Sequence, residues 1–231
     1  FSEIEQIVGT GRSGRVTKKH ILLYLEKRGH EAPAIKYPDM KVAIPVTGRS
    51  EEMHHMRKMI SKHMMESLNT SAHVYVMTEV DMTSIVDFVK KKQDEFKDGE
   101  GYALTYTPFI IESVIKSLKD YPEMNSSISG SKVDYHRDIN IGLAVAIENG
   151  LMVPSIPNCE EKNFLGICRS VNDVAKRTRD GNVSSDELLG TTFTITNFGV
   201  FGVSMGTPII NQPNVGILGV GAIKKQPVVI E

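Results

Sequence analysis

The chain has 231 residues, 40% of them hydrophobic and 24% charged, with 10 prolines, a profile that excludes collagen-like, low-complexity and intrinsically disordered proteins. Lys plus Arg number 27 against 28 Asp plus Glu, a net charge of −1, so no long-range field draws in nucleic acid or an anionic membrane, and neither is expected as a partner. At about 150 residues per domain the length implies one large domain, or a medium domain plus a small one.

The longest apolar stretches, such as residues 139–147, fall short of the roughly 20 residues that span a bilayer. Phe1 opens no signal-peptide pattern, so a soluble intracellular protein is expected. Cys159 and Cys168 have no second pair to join; this implies buried or loop thiols in a reducing compartment rather than a disulfide framework or zinc ribbon. Phe1 is not an initiator methionine, and the expectation is a piece of a longer protein.

Residues 1–29 read as a small basic unit. A glycine-rich loop over residues 8–15 leads to Thr17 as the N-cap of a helix through Ile21, Leu22 and Leu25, with Gly29 as its stop. Residues 30–48, with Pro33, Pro38, Pro45 and Gly48, have linker composition, which places a domain boundary near residue 49. From there Met53, Met56, Ile60 and Met64 line one face of a helix. Val74, Val76, Thr78 and Val80 alternate as a half-buried strand, and Thr83 opens a helix carrying Ile85, Val86, Val89 and Phe96. Thr107 and Pro108 begin a helix with Ile111, Val114, Ile115 and Leu118 that ends at Tyr121 and Pro122. Strands over 139–147 and 151–156 flank Asn149-Gly150, a strong hairpin signal. A helix through Phe164, Ile167, Val171 and Val174 then precedes two β-type runs, 192–196 and 215–223. Helices mixed with an antiparallel pair predict an α+β layered domain rather than a doubly wound one.

Three motifs imitate functional sites. Gly9-Thr10-Gly11-Arg12-Ser13-Gly14 matches the dinucleotide fingerprint, but only eight residues precede it and a proline-bearing linker follows its helix; it reads as a structural glycine loop. His136-Arg137-Asp138 imitates a kinase catalytic loop without the asparagine, Asp-Phe-Gly or lysine that a kinase needs. His54, His55 and His63 lack zincin spacing and read as exposed helix histidines, with no metal expected. The informative stretch is Gly190-Thr191-Thr192-Phe193-Thr194-Ile195-Thr196-Asn197-Phe198-Gly199-Val200-Phe201-Gly202, followed by Gly206-Thr207-Pro208-Ile209-Ile210-Asn211-Gln212-Pro213. A strand ending in hydroxyl and amide side chains before glycines suits hydrogen-bond donation to a developing oxyanion. It equally suits ordinary turn chemistry.

This stretch closely resembles the dihydrolipoamide acyltransferase core of the 2-oxo acid dehydrogenase complexes, whose signature reads Gly-x-x-Phe-Thr-(Ile/Val)-(Ser/Thr)-Asn-x-Gly-x-x-Gly, then Ile-Ile-Asn-x-Pro. Met56-Arg57-Lys58-Met59-Ile60 resembles the start of that catalytic domain. Asn140-Ile141-Gly142-Leu143-Ala144-Val145 with Gly150-Leu151-Met152-Val153-Pro154 resembles its central hairpin, and residues 215–223 its following strand. Residues 8–25 resemble the second half of the family's peripheral-subunit-binding domain.

The resemblance implies a chloramphenicol-acetyltransferase-like fold with a mixed sheet, forming homotrimers that build a 24-mer or 60-mer core. It implies transfer of an acyl group, of branched-chain or acetyl type, from dihydrolipoamide to coenzyme A. Thr196 occupies the position of the hydroxyl that stabilises the tetrahedral oxyanion. Asn197 and Thr105 fall where the family lines its coenzyme A channel, and Lys90 or Lys91 where it places a basic residue near the nucleotide phosphates. Arg12 and Arg15, with Lys18 and Lys19, would contact acidic surfaces of peripheral dehydrogenase and dihydrolipoamide dehydrogenase subunits. The lipoyl group would sit on a domain that these residues do not include. Such a protein is expected in the bacterial cytoplasm, or in the mitochondrial matrix of a eukaryote.

The family's base lies in a His-x-x-x-Asp-Gly motif, which residues 1–231 do not contain. His136-Arg137-Asp138-Ile139-Asn140 imitates it, with Ile141 in place of the glycine, and reads as a decoy. The expectation is therefore an acyltransferase seen without its C-terminal catalytic segment and inactive by itself. The competing expectation is a non-catalytic scaffold that recruits peripheral dehydrogenase subunits. A small-molecule acyltransferase is disfavoured, because it has no use for a subunit-binding remnant and linker.

Overall fold

The computed structural model describes residues 7–11, 14–29, 48–148 and 150–229, and the chain divides into two compact units between Glu51 and Glu52. In the first, α1 (Lys18–Gly29) begins where His20 turns back on the preceding loop. Its Nδ1 accepts the Thr17 N–H at 3.1 Å, so in the neutral ring Nε2 carries the hydrogen and donates to Thr10 Oγ1 at 2.9 Å. The loop itself is a close backbone reversal. A Cβ on Gly9 or Gly11 would stand 2.6 or 2.5 Å from the Arg15 carbonyl oxygen, to which Gly11 N–H donates at 3.0 Å.

The second unit orders its elements as α2 (His55–Thr70), α3 (Thr83–Glu100), α4 (Thr107–Asp120), β1 (Ser126–Ser129), β2 (Lys132–Tyr135), β3 (Ile141–Leu143), β4 (Val145–Ile147), β5 (Gly150–Met152), β6 (Ser155–Ile156), α5 (Phe164–Arg179), β7 (Phe193–Asn197) and β8 (Ile217–Val220). Local chemistry fixes the helix starts. Pro108 occupies the first turn of α4, and Asn163 Oδ1 accepts the Gly166 N–H at 2.8 Å to cap α5. Asp81 Oδ1 accepts both the Thr83 N–H at 2.8 Å and its hydroxyl at 2.6 Å, so the capping carboxylate lies two residues upstream of the threonine. Those bonds hold the Asp81 carboxyl below its ordinary range.

A four-stranded sheet runs in the order β6-β3-β7-β8, with β3 antiparallel to β6 and β7 parallel to both β3 and β8. The parallel β3-to-β7 connection carries α5, as such crossovers require. α4 and α5 lay Ile111, Ile115, Ile167 and Val171 over Ile141, Phe193 and Ile195, and Ile111, Ile141 and Ile195 are fully buried. Each such side chain contributes about 1.5–3 kcal/mol through burial. The α+β expectation holds.

Three local expectations change. The hairpin over 139–156 is two short antiparallel pairs, β3 with β6 and β4 with β5. The ladder breaks because the Ala144 N–H donates to Ile195 of β7 and Pro154 has no N–H to give. Asn149, like Arg12, lies outside the described residues. Residues 74–80 form no strand among the described residues, with Val74 85% and Val76 90% exposed. Alternation marks an apolar rhythm, yet no neighbouring strand among the described residues supplies a ladder. Finally, α2 starts at His55, with His54 Nδ1 accepting the Met56 N–H as its cap, and His63 is half-buried rather than exposed.

Both cysteines are free and buried, and burial pushes each thiol up to about 11. No helix among the described residues is long and apolar enough to cross a membrane.

Candidate active site

Burial falls along β7: Phe193, Thr194 and Ile195 are buried, whereas Thr196 and Asn197 are half-buried. Strand alternation puts Thr194 and Thr196 on one face. The Thr194 hydroxyl accepts from Asn214 Nδ2 at 2.8 Å. The Thr196 hydroxyl makes no hydrogen bond among the described residues and is free to donate. Asn197 commits its Oδ1 to the Gly199 N–H at 2.9 Å, an Asx turn that leaves its Nδ2 as an uncommitted donor.

The backbone beyond Asn197 is folded on itself so closely that side chains are excluded. A Cβ on Gly199 would stand 2.4 Å from the Gly221 carbonyl oxygen, and one on Gly221 would stand 2.2 Å from that of Ser204. The Phe198 ring fills the space left by Gly206 and Gly219, where added Cβ atoms would meet it at 3.0 and 2.7 Å. Thr196 pairs with Gly219 across the β7-β8 ladder, and Pro208 packs over the same glycine, 3.3 Å from its would-be Cβ.

A second group of residues carries no local sequence signal, because its partners lie far apart in the chain. Ser67, fully buried at the end of α2, donates to the Ile210 carbonyl at 2.6 Å. Gln212 Nε2 donates to Ser67 Oγ at 3.1 Å and to Ser71 Oγ at 2.7 Å. His73 Nε2 accepts the Ile210 N–H at 3.0 Å. Side chains thus satisfy both backbone groups of Ile210, in a segment without a strand ladder.

Among the anticipated residues, the structure brings Thr196 and Asn197 together at the strand end. Thr105 is exposed just before α4, and Lys90 is exposed on α3 with Nζ 3.9 Å from Asp87. No hydrogen bond or ion pair among the described residues joins either to Thr196. Arg15 is exposed in the first unit. Of the clefts, one of about 440 Å³ lies beside β6 and is lined by Ser155, Lys162, Asp173, Arg177 and Glu187. A smaller one of about 240 Å³ is lined by His136, Asp138, Thr191 and Pro213. Neither includes Thr196. In the first, Arg177 is already occupied by Asp173 at 2.9 Å and Glu187 at 2.6 Å, so the chemistry favours the strand end, where donors are uncommitted. No cluster of three or more His, Cys, Asp or Glu suited to a metal occurs among the described residues.

Comparison with known proteins identifies the family. Residues 46–231 match the family model of the 2-oxoacid dehydrogenases acyltransferase (catalytic domain). The lipoamide acyltransferase component of the branched-chain alpha-keto acid dehydrogenase complex of Bacillus subtilis is 37% identical over 99% of this chain and 58% of its own length. The curated relatives in general are matched over about half their length, 55–58% in the first three. A probable dihydrolipoamide acetyltransferase from Listeria monocytogenes superposes with a TM-score of 0.77 at 39% identity, over 79% of this chain and 78% of that one. The cubic core of a pyruvate dehydrogenase multienzyme complex superposes with the same TM-score at 28% identity, over 83% and 79%. The fold is therefore the chloramphenicol-acetyltransferase-like one of these catalytic cores. The chain belongs to the 2-oxoacid dehydrogenase acyltransferase family.

Proposed function

We propose that the protein is the acyltransferase component of a 2-oxo acid dehydrogenase complex and moves an acyl group, of branched-chain or acetyl type, from dihydrolipoamide to coenzyme A. The observation that carries this reading is the uncommitted Thr196 hydroxyl at the half-buried end of β7. In the transfer, the coenzyme A sulfur attacks the thioester carbonyl as its proton leaves, and the carbonyl π pair moves onto oxygen. Thr196 Oγ–H donates to that oxyanion, a contact worth about 2.7–4 kcal/mol in comparable sites. Collapse expels the dihydrolipoamide thiolate, which takes up a proton. The family resemblance assigns the proton transfers to a histidine in a motif that residues 1–231 do not contain.

Asn197 Nδ2 and Thr105 line the coenzyme A path, and Lys90 serves its phosphates. Residues 1–29 form part of a peripheral-subunit-binding domain whose Arg12 and Arg15 meet acidic partner surfaces, 30–48 are a linker, and 49–231 are catalytic. The lipoyl group arrives on a further domain. The catalytic unit assembles as a homotrimer within a 24-mer or 60-mer core. Supporting this, Val74, Val76, Val200, Phe201 and Met205 expose apolar side chains of the kind that mark contact surfaces. A bacterial cytoplasmic setting fits the bacterial relatives.

The test is acyl transfer by the full-length protein. Thr196→Ala should lower kcat roughly 100- to 1,000-fold with little change in KM. An unchanged rate would remove Thr196 from the mechanism, and absence of transfer in the wild type would leave the scaffold reading.

A further inference from the structure

We propose that His73 is a positioning residue for Thr196, acting through the segment 206–214 as a neutral imidazole with its hydrogen on Nδ1. The inference rests on the acyltransferase reading and deepens it.

The tautomer follows from the partners. His73 Nε2 faces the Ile210 N–H at 3.0 Å, which can only donate, and Nδ1 faces the Ser71 carbonyl oxygen at 2.9 Å, which can only accept. Only the Nδ1–H neutral ring satisfies both; a second proton on Nε2 would set two donors against each other. The Ile210 carbonyl is held by the buried Ser67 hydroxyl at 2.6 Å, and Gln212 ties that hydroxyl to Ser71. Ile210 is thus fixed at both backbone groups by the end of α2 and the residues that follow it.

Two residues upstream, Pro208 packs over Gly219, the ladder partner of Thr196. Further upstream, Gly206 lies against the Phe198 ring, which is wedged on Gly219 as well. Downstream, Asn214 donates to the Thr194 hydroxyl at 2.8 Å, on the same strand face as Thr196. The segment therefore spans β7 from Thr194 to the turn after Asn197, and among the described residues the hydrogen bonds of Ser67, His73 and Gln212 anchor it to α2 and the residues that follow. Loss of the His73 acceptor frees the Ile210 N–H, lets the segment drift from Gly219, and misplaces the Thr196 hydroxyl, a displacement to which an oriented donor is sensitive.

The test uses the full-length protein and a double-mutant cycle with His73→Ala and Thr196→Ala. His73→Ala should lower kcat about tenfold while KM for coenzyme A stays within about twofold, and His73→Gln, whose Oε1 replaces the Nε2 acceptor, should recover to within about threefold. In the Thr196→Ala background, His73→Ala should cost less than about twofold, because the group it positions is gone. The full tenfold loss in that background overturns the proposal. Thr196→Ala without effect on its own would instead remove Thr196 from the mechanism and overturn the route through it, whereas absence of transfer in the wild type would overturn the functional reading. A separate readout needs no variant: 15N-histidine spectra of the sedimented wild-type assembly should show His73 with a protonated Nδ1 and a bare Nε2. A protonated Nε2 contradicts the clamp whatever the activity.

Discussion

The two sides of the larger unit are built on different physics. Beneath α4 and α5, the sheet strands β3 and β7 meet helix side chains in an apolar layer, with Ile111, Ile141 and Ile195 fully buried. Around α2, residues 72–82 and the turn after β7, the joints are polar, through Ser67, His73 and Gln212. There the large apolar side chains Val74, Val76, Val200 and Phe201 face outward. The first side can hold itself together. The second orients donors and offers apolar surface, which is the division that the proposed homotrimer would require.

The largest effect that can break this contrast is in the apolar layer. Ile195→Ala removes a fully buried side chain and should destabilise by about 2–5 kcal/mol, seen as a lowered urea midpoint. A loss below about 1 kcal/mol would mean that the layer repacks freely and is no keystone. Val76→Asp probes the opposite side. At 90% exposure it should shift the urea midpoint by no more than about 0.5 kcal/mol equivalent, yet reduce the sedimentation coefficient of the proposed assembly by burying a charge at the proposed subunit contact. An unchanged assembly would place the contact elsewhere.

A smaller effect sharpens the contrast through pH. Burial raises Cys159 and Cys168 from about 9 to about 11. The folded state thus favours the neutral thiols, and their contribution is complete below about 9 and lost as pH rises toward about 11. Glu100 runs the other way. Its two 2.8 Å bonds with Arg169 hold its carboxyl low, so its contribution is present above the ordinary carboxylate range and lost as pH falls through the lowered value. Urea midpoints across pH should therefore decline at both ends. Replacing both cysteines with alanine should flatten only the alkaline decline, and an unaltered alkaline limb would count against their burial.

Sequence periodicity reached the apolar side far better than the polar one. Ile111, Ile115 and Leu118 recur at helical spacing and do bury one face of α4, and the glycines around Phe198 stand in a motif that carried the family likeness. Residues 74–80 alternate like a strand, but alternation reports an apolar rhythm, not whether a neighbouring ladder exists. The break at Ala144 and Pro154 depends on β7, about 50 residues away in sequence, which takes over the Ala144 N–H. Ser67, His73 and Gln212 were illegible for a related reason. Their bonds to one another and to Ile210 bridge sequence separations of 137 to 145 residues, and no local pattern marks a histidine with one nitrogen on Ser71 nearby and the other on the distant backbone of Ile210. Thr196 stood between these extremes. Its position was readable from the motif, whereas its freedom from hydrogen bonds, in contrast to Thr194 two residues earlier, emerges only from the fold.

In the proposed mechanism the Thr196 hydroxyl, rather than its bulk, stabilises the oxyanion. The most direct measurement is kcat for acyl transfer in the full-length protein with Thr196→Val, which keeps the branched shape, beside Thr196→Ser, which keeps the hydroxyl. Valine should lose roughly 100- to 1,000-fold while serine stays within about tenfold of wild type. Equal rates for valine and serine would contradict it.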